Sequence, residues 1–106
     1  MTPYPEFIEH FGAQAQWDAI PEYMREPMRL YVESGVPTGS FLEAVLSNDL
    51  MGAAARADDG NRDALFAWAA LLHNGAPSSC FGSPEAVREW CKVGGLAGLT
   101  DFRATA

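Results

Sequence analysis

Phe41, Leu42, Val45 and Leu46 recur at spacings of three and four residues, with Glu43 and Ser47 between them, which is the pattern of a helix with one apolar stripe. The stretch around them carries its own punctuation. Ser40 stands three residues before Glu43, the spacing of a capping box, and predicts a helix beginning at about Phe41. Ahead of it, Gly35 reads as the C-terminal cap of a preceding helix, and Val36, Pro37, Thr38 and Gly39 as the turn between the two. After it, Leu50, Ala53, Ala54 and Ala57 resume helical spacing, so one helix is expected over 41–57 with a bend at 47–49, where Ser47, Asn48 and Asp49 offer a cap in mid-run. The small residues Gly52, Ala53, Ala54 and Ala55 would let a neighbouring helix approach closely.

The same periodicity places further helices on either side. Pro21 fits a first helical turn, and Pro27 predicts a break near Arg25 and Glu26 with a restart at Pro27; Met24, Met28, Tyr31 and Val32 share a face. Residues 61–73 are apolar over most of the circumference, through Leu65, Phe66, Trp68, Ala69, Leu71 and Leu72, and are expected to form the central, most buried helix. His73, Asn74 and Gly75 close it. Ser83 followed by Pro84 and Glu85 opens a last helix, which turns Val87, Trp90 and Cys91 inward and stops at Gly94 and Gly95. A short helix over about 5–11 would dock Phe7 and Phe11, together with Trp17, onto the core. There are only five Val and Ile after residue 20 and no alternating β-branched run, so a sheet has no material. The expected fold is all-α: a single domain over 1–106, a bundle of about five short helices, with 1–19 as a peripheral N-terminal segment and 96–106 as a loosely held tail from which Leu96, Leu99 and Phe102 reach the core.

At 106 residues and 48% apolar composition the chain can bury a core without disulfides or a structural metal. No apolar run approaches the roughly 20 residues that cross a bilayer, and MTPYPEFIEH has neither a basic start nor an apolar signal core. A cytoplasmic protein is expected, with Cys80 and Cys91 as free thiols. The net charge of −7, with one Lys and six scattered Arg, disfavours binding through a nucleic-acid backbone, and no direct nucleic-acid partner is expected. That charge is uneven: residues 1–60 hold ten acids and three bases, residues 61–106 four of each. A basic partner surface would be steered to the first part of the chain.

Chemistry-bearing residues are sparse. Cys80, Cys91 and His73, with His10 as a distant fourth ligand, match no common zinc spacing. A Cys80 and His73 nucleophile pair has neither an oxyanion element nor an orienting acid. Asp49, Asp58, Asp59 and Asp63 lack the order of a calcium loop and read as caps and a solvated turn. No cofactor or metal is expected, and no enzymatic role; the rival reading is a small enzyme or metal site at Cys80, Cys91 and His73. The aromatic content points elsewhere, because aromatics at segment edges anchor protein interfaces. Tyr4, Trp17, Tyr23 and Phe81 are the candidates. Tyr23 and Phe81, with the acids Glu22, Glu26, Glu33, Asp58 and Asp59, form the expected partner-binding set.

The blocks GVPTGSFLEAVLSNDL, RADDGN, LLHNGAPSSCFGSPEAVREW and GGLAG resemble a family of small uncharacterised proteins encoded by phages and prophages, over roughly residues 20–98. The most specific pieces are GSFLEAVLSNDL and APSSCFGSPE. The resemblance implies a phage accessory protein, similar to the small acidic host-defence antagonists, anti-CRISPR proteins among them, that occupy a surface of a larger host protein or ribonucleoprotein complex. A third reading is a phage transcription regulator that contacts protein rather than DNA.

Overall fold

The computed structural model describes residues 4–99. Among these the chain is helical throughout, with no strand: α1 (Tyr4–His10), α2 (Gln14–Ala19), α3 (Arg25–Ser34), α4 (Ser40–Leu46), α5 (Leu50–Arg56), α6 (Asp59–Asp63), α7 (Leu65–Gly75) and α8 (Pro84–Val93), followed by a helical stretch over 95–99. Single 3-10 turns lie at Glu22–Met24 and Ser78–Cys80. The all-α expectation holds; the number of helices exceeds the expected five because two of them are broken and the short α2 and α6 carry little periodicity of their own. No helix of the described residues is long and apolar enough to cross a membrane.

The breaks have local causes. Asn48 adopts the left-handed conformation, φ 65°, and ends α4; Asp49 then caps α5 by accepting from the Gly52 amide at 2.9 Å. The expected bend at 47–49 is therefore a full break. The capping box at Ser40 does not form. Gly39 is the N-cap of α4, its carbonyl accepts from the Glu43 amide, and Ser40 is the first helical residue with no side-chain cap bond. Pro27 breaks nothing: it falls within the first turn of α3, where its missing N–H has no partner to lose, and the discontinuity lies earlier, at the 3-10 turn over Glu22–Met24.

Gly35 caps α3 as expected, in the left-handed region at φ 68°. Its second role is a close approach. A Cβ on Gly35 would stand 2.8 Å from the Gly95 amide nitrogen, and one on Gly95 would stand 2.6 Å from that of Gly35, so the ends of α3 and α8 meet backbone to backbone. Gly94 supplies the left-handed cap of α8, whose N-terminus is closed by Ser83 Oγ accepting from the Ala86 amide at 3.1 Å.

The core gathers Tyr4, Ile8, Met28, Tyr31, Val32, Leu42, Leu46, Trp68, Leu71, Cys80 and Trp90. Three of its buried polar side chains are paired, whereas the Tyr4 hydroxyl is buried without a hydrogen-bond partner among the described residues. Trp68 Nε1 donates to Asn61 Oδ1 at 3.0 Å, Trp90 Nε1 to the Tyr31 carbonyl at 2.9 Å, and Tyr31 Oη to the Cys80 carbonyl at 2.6 Å. At the N-terminal end the docking residues differ from expectation. Tyr4 and Ile8 are wholly buried, Phe7 and Trp17 pack at the rim, and Phe11 stays exposed. Leu96 and Leu99 are half-buried against the core, as expected, while Phe102 lies outside the described residues.

Candidate protein-binding surface

The residues expected to meet a partner fall into three groups. Tyr23 is 58% exposed, and its hydroxyl donates to Asp58 Oδ2. Asp58 also caps α6, accepting from the Asn61 amide at 2.8 Å. These two bonds hold the Asp58 carboxyl below its ordinary range, the tyrosine's first, and the same contact raises the Tyr23 phenol. Tyr23, Met24, Pro27, Phe41, Arg56 and Asp58 line a shallow cleft of about 350 Å³. Glu22 and Asp59, each next in sequence to one member of this pair, are exposed as well.

Glu26 and Glu33 form the second group, around Arg29. Glu26 is exposed and held by the Arg29 guanidinium, whose hydrogen bond keeps its carboxyl below the ordinary range. Glu33 corrects the expectation of a surface acid. It is 7% exposed, with Oε2 accepting from the Tyr4 amide at 2.9 Å and Oε1 from Arg29 Nη1 at 3.0 Å. Its carboxylate closes the start of α1, and it presents no free charge to a partner.

Phe81 belongs to a different face. It is half-buried and lines a cleft of about 250 Å³ formed by Val45, Leu50, Ala53, Leu65, Ala69 and Leu72, with Asn48, Asp49 and His73 at its polar positions. The break after α4 shapes this cleft, because the chain turns at the left-handed Asn48 and α5 then contributes Leu50 and Ala53 to the same lining as Leu65, Ala69 and Leu72 of α7. Of the small stripe 52–55 only Ala53 is buried. Beside it, α7, expected as the most buried helix, keeps one apolar side in solvent. Trp68, Leu71 and Leu72 face the core, but Phe66 is 93% exposed on the outward side, one turn before Ala69. Leu50 and Met51, at the start of α5, are 65% and 80% exposed.

The alternative chemistry finds no assembled site. Cys80 is fully buried, and burial pushes its thiol up to about 12, away from the thiolate that a nucleophile or metal ligand requires. Cys91 lies at a separate surface with Glu43, Val87, Arg88 and Lys92, and His73 lies in the cleft of Phe81. Among the described residues no three His, Cys, Asp or Glu side chains are grouped to hold a metal ion. Compared with protein-family models, curated proteins and solved structures, the chain gives no match.

Proposed function

We propose that this chain is a phage or mobile-element accessory protein that works in the host cytoplasm by binding another protein, most concretely as an inhibitor of a host defence complex such as a CRISPR effector. One observation carries the binding role: Phe66 stands 93% exposed on a helix whose opposite side is core, next to an apolar cleft flanked by the exposed Leu50. A small domain that buries Trp68 and Tyr31 completely has material to cover a phenylalanine, and large exposed apolar groups beside a concave surface are the usual anchors of interfaces. The excess of acid in residues 1–60 supports a basic partner, attracted at a distance by charge and held at short range by apolar contact. The defence-complex identity rests on the family resemblance.

The test is capture from host lysate by immobilised protein, comparing wild type with Phe66→Ser. Wild type is expected to retain a protein or ribonucleoprotein that Phe66→Ser loses while its thermal midpoint stays unchanged; purified partner activity should fall on adding wild type. Equal capture by the two proteins would remove Phe66 from the interface. No partner activity affected at saturating protein would remove the inhibitor reading.

A further inference from the structure

We propose that the cleft between α5 and α7 is the socket for an amphipathic helix of the partner, receiving one apolar side chain of that helix while a neighbouring Lys or Arg meets Asp49. The proposal rests on the protein-binding reading and adds the chemistry of the bound segment. The cleft's walls are aliphatic and aromatic, from Leu50, Ala53, Leu65, Leu72 and Phe81. Its volume, about 250 Å³, exceeds the about 150 Å³ in which an apolar cavity accepts benzene, so a Leu, Met or Phe side chain fits.

Charge selects among occupants. Among the described residues Asp49 is the one carboxylate lining the cleft, and no Lys or Arg lines it. Only one Asp49 oxygen is committed to the Gly52 amide, and the nearby Arg56 is turned onto its own helix, donating to the Gly52 carbonyl at 3.1 Å. A second copy of the chain would bring its own net charge of −7 to this acidic rim, which disfavours self-association. A helix with apolar residues one turn apart and basic flanks satisfies both walls and rim, in the manner of helix-in-groove recognition. The small outward residue Ala69 leaves room for its backbone.

The experiment uses isotope-labelled full-length protein and amide chemical-shift mapping at about 0.15 M salt. The probes are an amphipathic Leu/Lys peptide of about five turns, the same pattern in Leu/Glu, and a Leu/Lys peptide scrambled to have no apolar face. The patterned Leu/Lys peptide is expected to shift amides of Val45–Ala53, Leu65–His73 and Phe81, and the other two are not. Ala69→Trp, which fills the cleft from an exposed position, should weaken binding about tenfold or more. Asp49→Asn keeps a competent cap and removes the charge, so it should weaken binding severalfold and flatten its salt dependence. Should Ala69→Trp perturb the fold, Leu50→Asp at an already exposed position takes its place. Shifts centred elsewhere, equal binding of the scrambled or Leu/Glu peptide, or indifference to these variants would overturn the socket, as would a dimer that Ala69→Trp dissociates. If the socket fails while partner capture still depends on Phe66, the protein-binding reading stands without it. If the peptide seats in the cleft but lysate capture ignores Phe66, the anchor assigned to that reading fails instead.

Discussion

The backbone amide of Tyr4 donates to the buried carboxylate of Glu33 across 29 residues of sequence, at 2.9 Å. This bond ties the first turn of α1 to the last turn of α3, and it explains why an acid of an otherwise amphipathic helix faces inward. Glu33→Ala should leave that amide without an acceptor and Arg29 with one carboxylate fewer, costing about 1–3 kcal/mol. Hydrogen exchange in Tyr4–His10 should accelerate more than in α7. Glu33→Gln keeps an acceptor and should recover part of the loss. Uniform exchange across the two helices would show that α1 does not depend on this carboxylate.

The helix starts make a contrasting set. Ser83 and Asp49 each cap with a side-chain oxygen, so Ser83→Ala and Asp49→Ala should each cost about 1 kcal/mol. Ser40→Ala should cost almost nothing, since Ser40 is exposed and Gly39 holds the cap position. Urea midpoints measured side by side would decide this. A Ser40→Ala midpoint as low as that of Ser83→Ala would restore the capping box in solution.

Trp68 is completely buried, stacks edge-on against Phe41 with ring centres 6.1 Å apart, and donates to Asn61. Trp68→Ala should destabilise by about 3–5 kcal/mol, enough to unfold a marginal domain. Trp68→Phe should cost less in volume yet strand the buried Asn61 carbonyl, and adding Asn61→Ala to it should cost less than the sum of the two single changes. Strict additivity in calorimetry would mean the indole and the amide do not act as a pair.

Much of this architecture was legible in sequence where the signal is local. The Gly35 cap, the Ser83 and Pro84 start, the Gly94 stop and the inward face of Met28, Tyr31 and Val32 follow from neighbours within one or two turns. The failures arose where two local rules competed or where the deciding contact was distant. At Ser40 a glycine one residue earlier took the cap; at Pro27 the proline fell inside a first turn that sequence had placed elsewhere. Glu33 was assigned to the surface because its partner, the Tyr4 amide, belongs to another helix. Phe66 is exposed although residues 61–73 read as the most buried helix, because an apolar circumference says how much surface a helix offers, not how many neighbours exist to cover it. Of the expected binding residues, Tyr23 and Asp58 meet, and the cleft of Phe81 was missed because it depends on how far the chain turns at Asn48.

The two cysteines should behave differently towards thiol reagents. At pH 8 Cys91, half-exposed, should label in the folded protein, and Cys80 should label only at the rate of unfolding. The folded state holds the Cys80 proton more tightly than the unfolded chain does. Its contribution to stability is therefore complete below the ordinary thiol value of 9.0 and is lost as pH rises towards about 12. Burial raises the Tyr4 and Tyr31 phenols as well, so they add to the same alkaline loss. Cys80→Ala should reduce that slope without abolishing it. Two equally fast thiols at pH 8 would contradict the burial of Cys80.

Surface charge should govern how fast a partner is captured. Glu22 and Asp59 are exposed acids flanking the Tyr23 and Asp58 pair, and Asp59 has only a long 3.3 Å contact to Arg62, both partners being solvated. Reversing the two to Lys should slow association with a basic partner and flatten its dependence on salt, because exposed charges act on the encounter more than on the bound state. Glu33 offers an internal control. Arg29 bridges both Glu33 and Glu26, so Glu33→Gln removes a single buried charge and should slow association far less than the double reversal, even where it lowers stability. Truncating Phe66 should act in the opposite way, leaving association intact and speeding dissociation by an amount corresponding to about 2 kcal/mol. Surface-binding kinetics at two salt concentrations would separate these effects. An association rate indifferent both to salt and to the Glu22 and Asp59 reversals would reduce the acidic half to a solubilising face, and the anchor at Phe66 would then have to select its partner by shape alone.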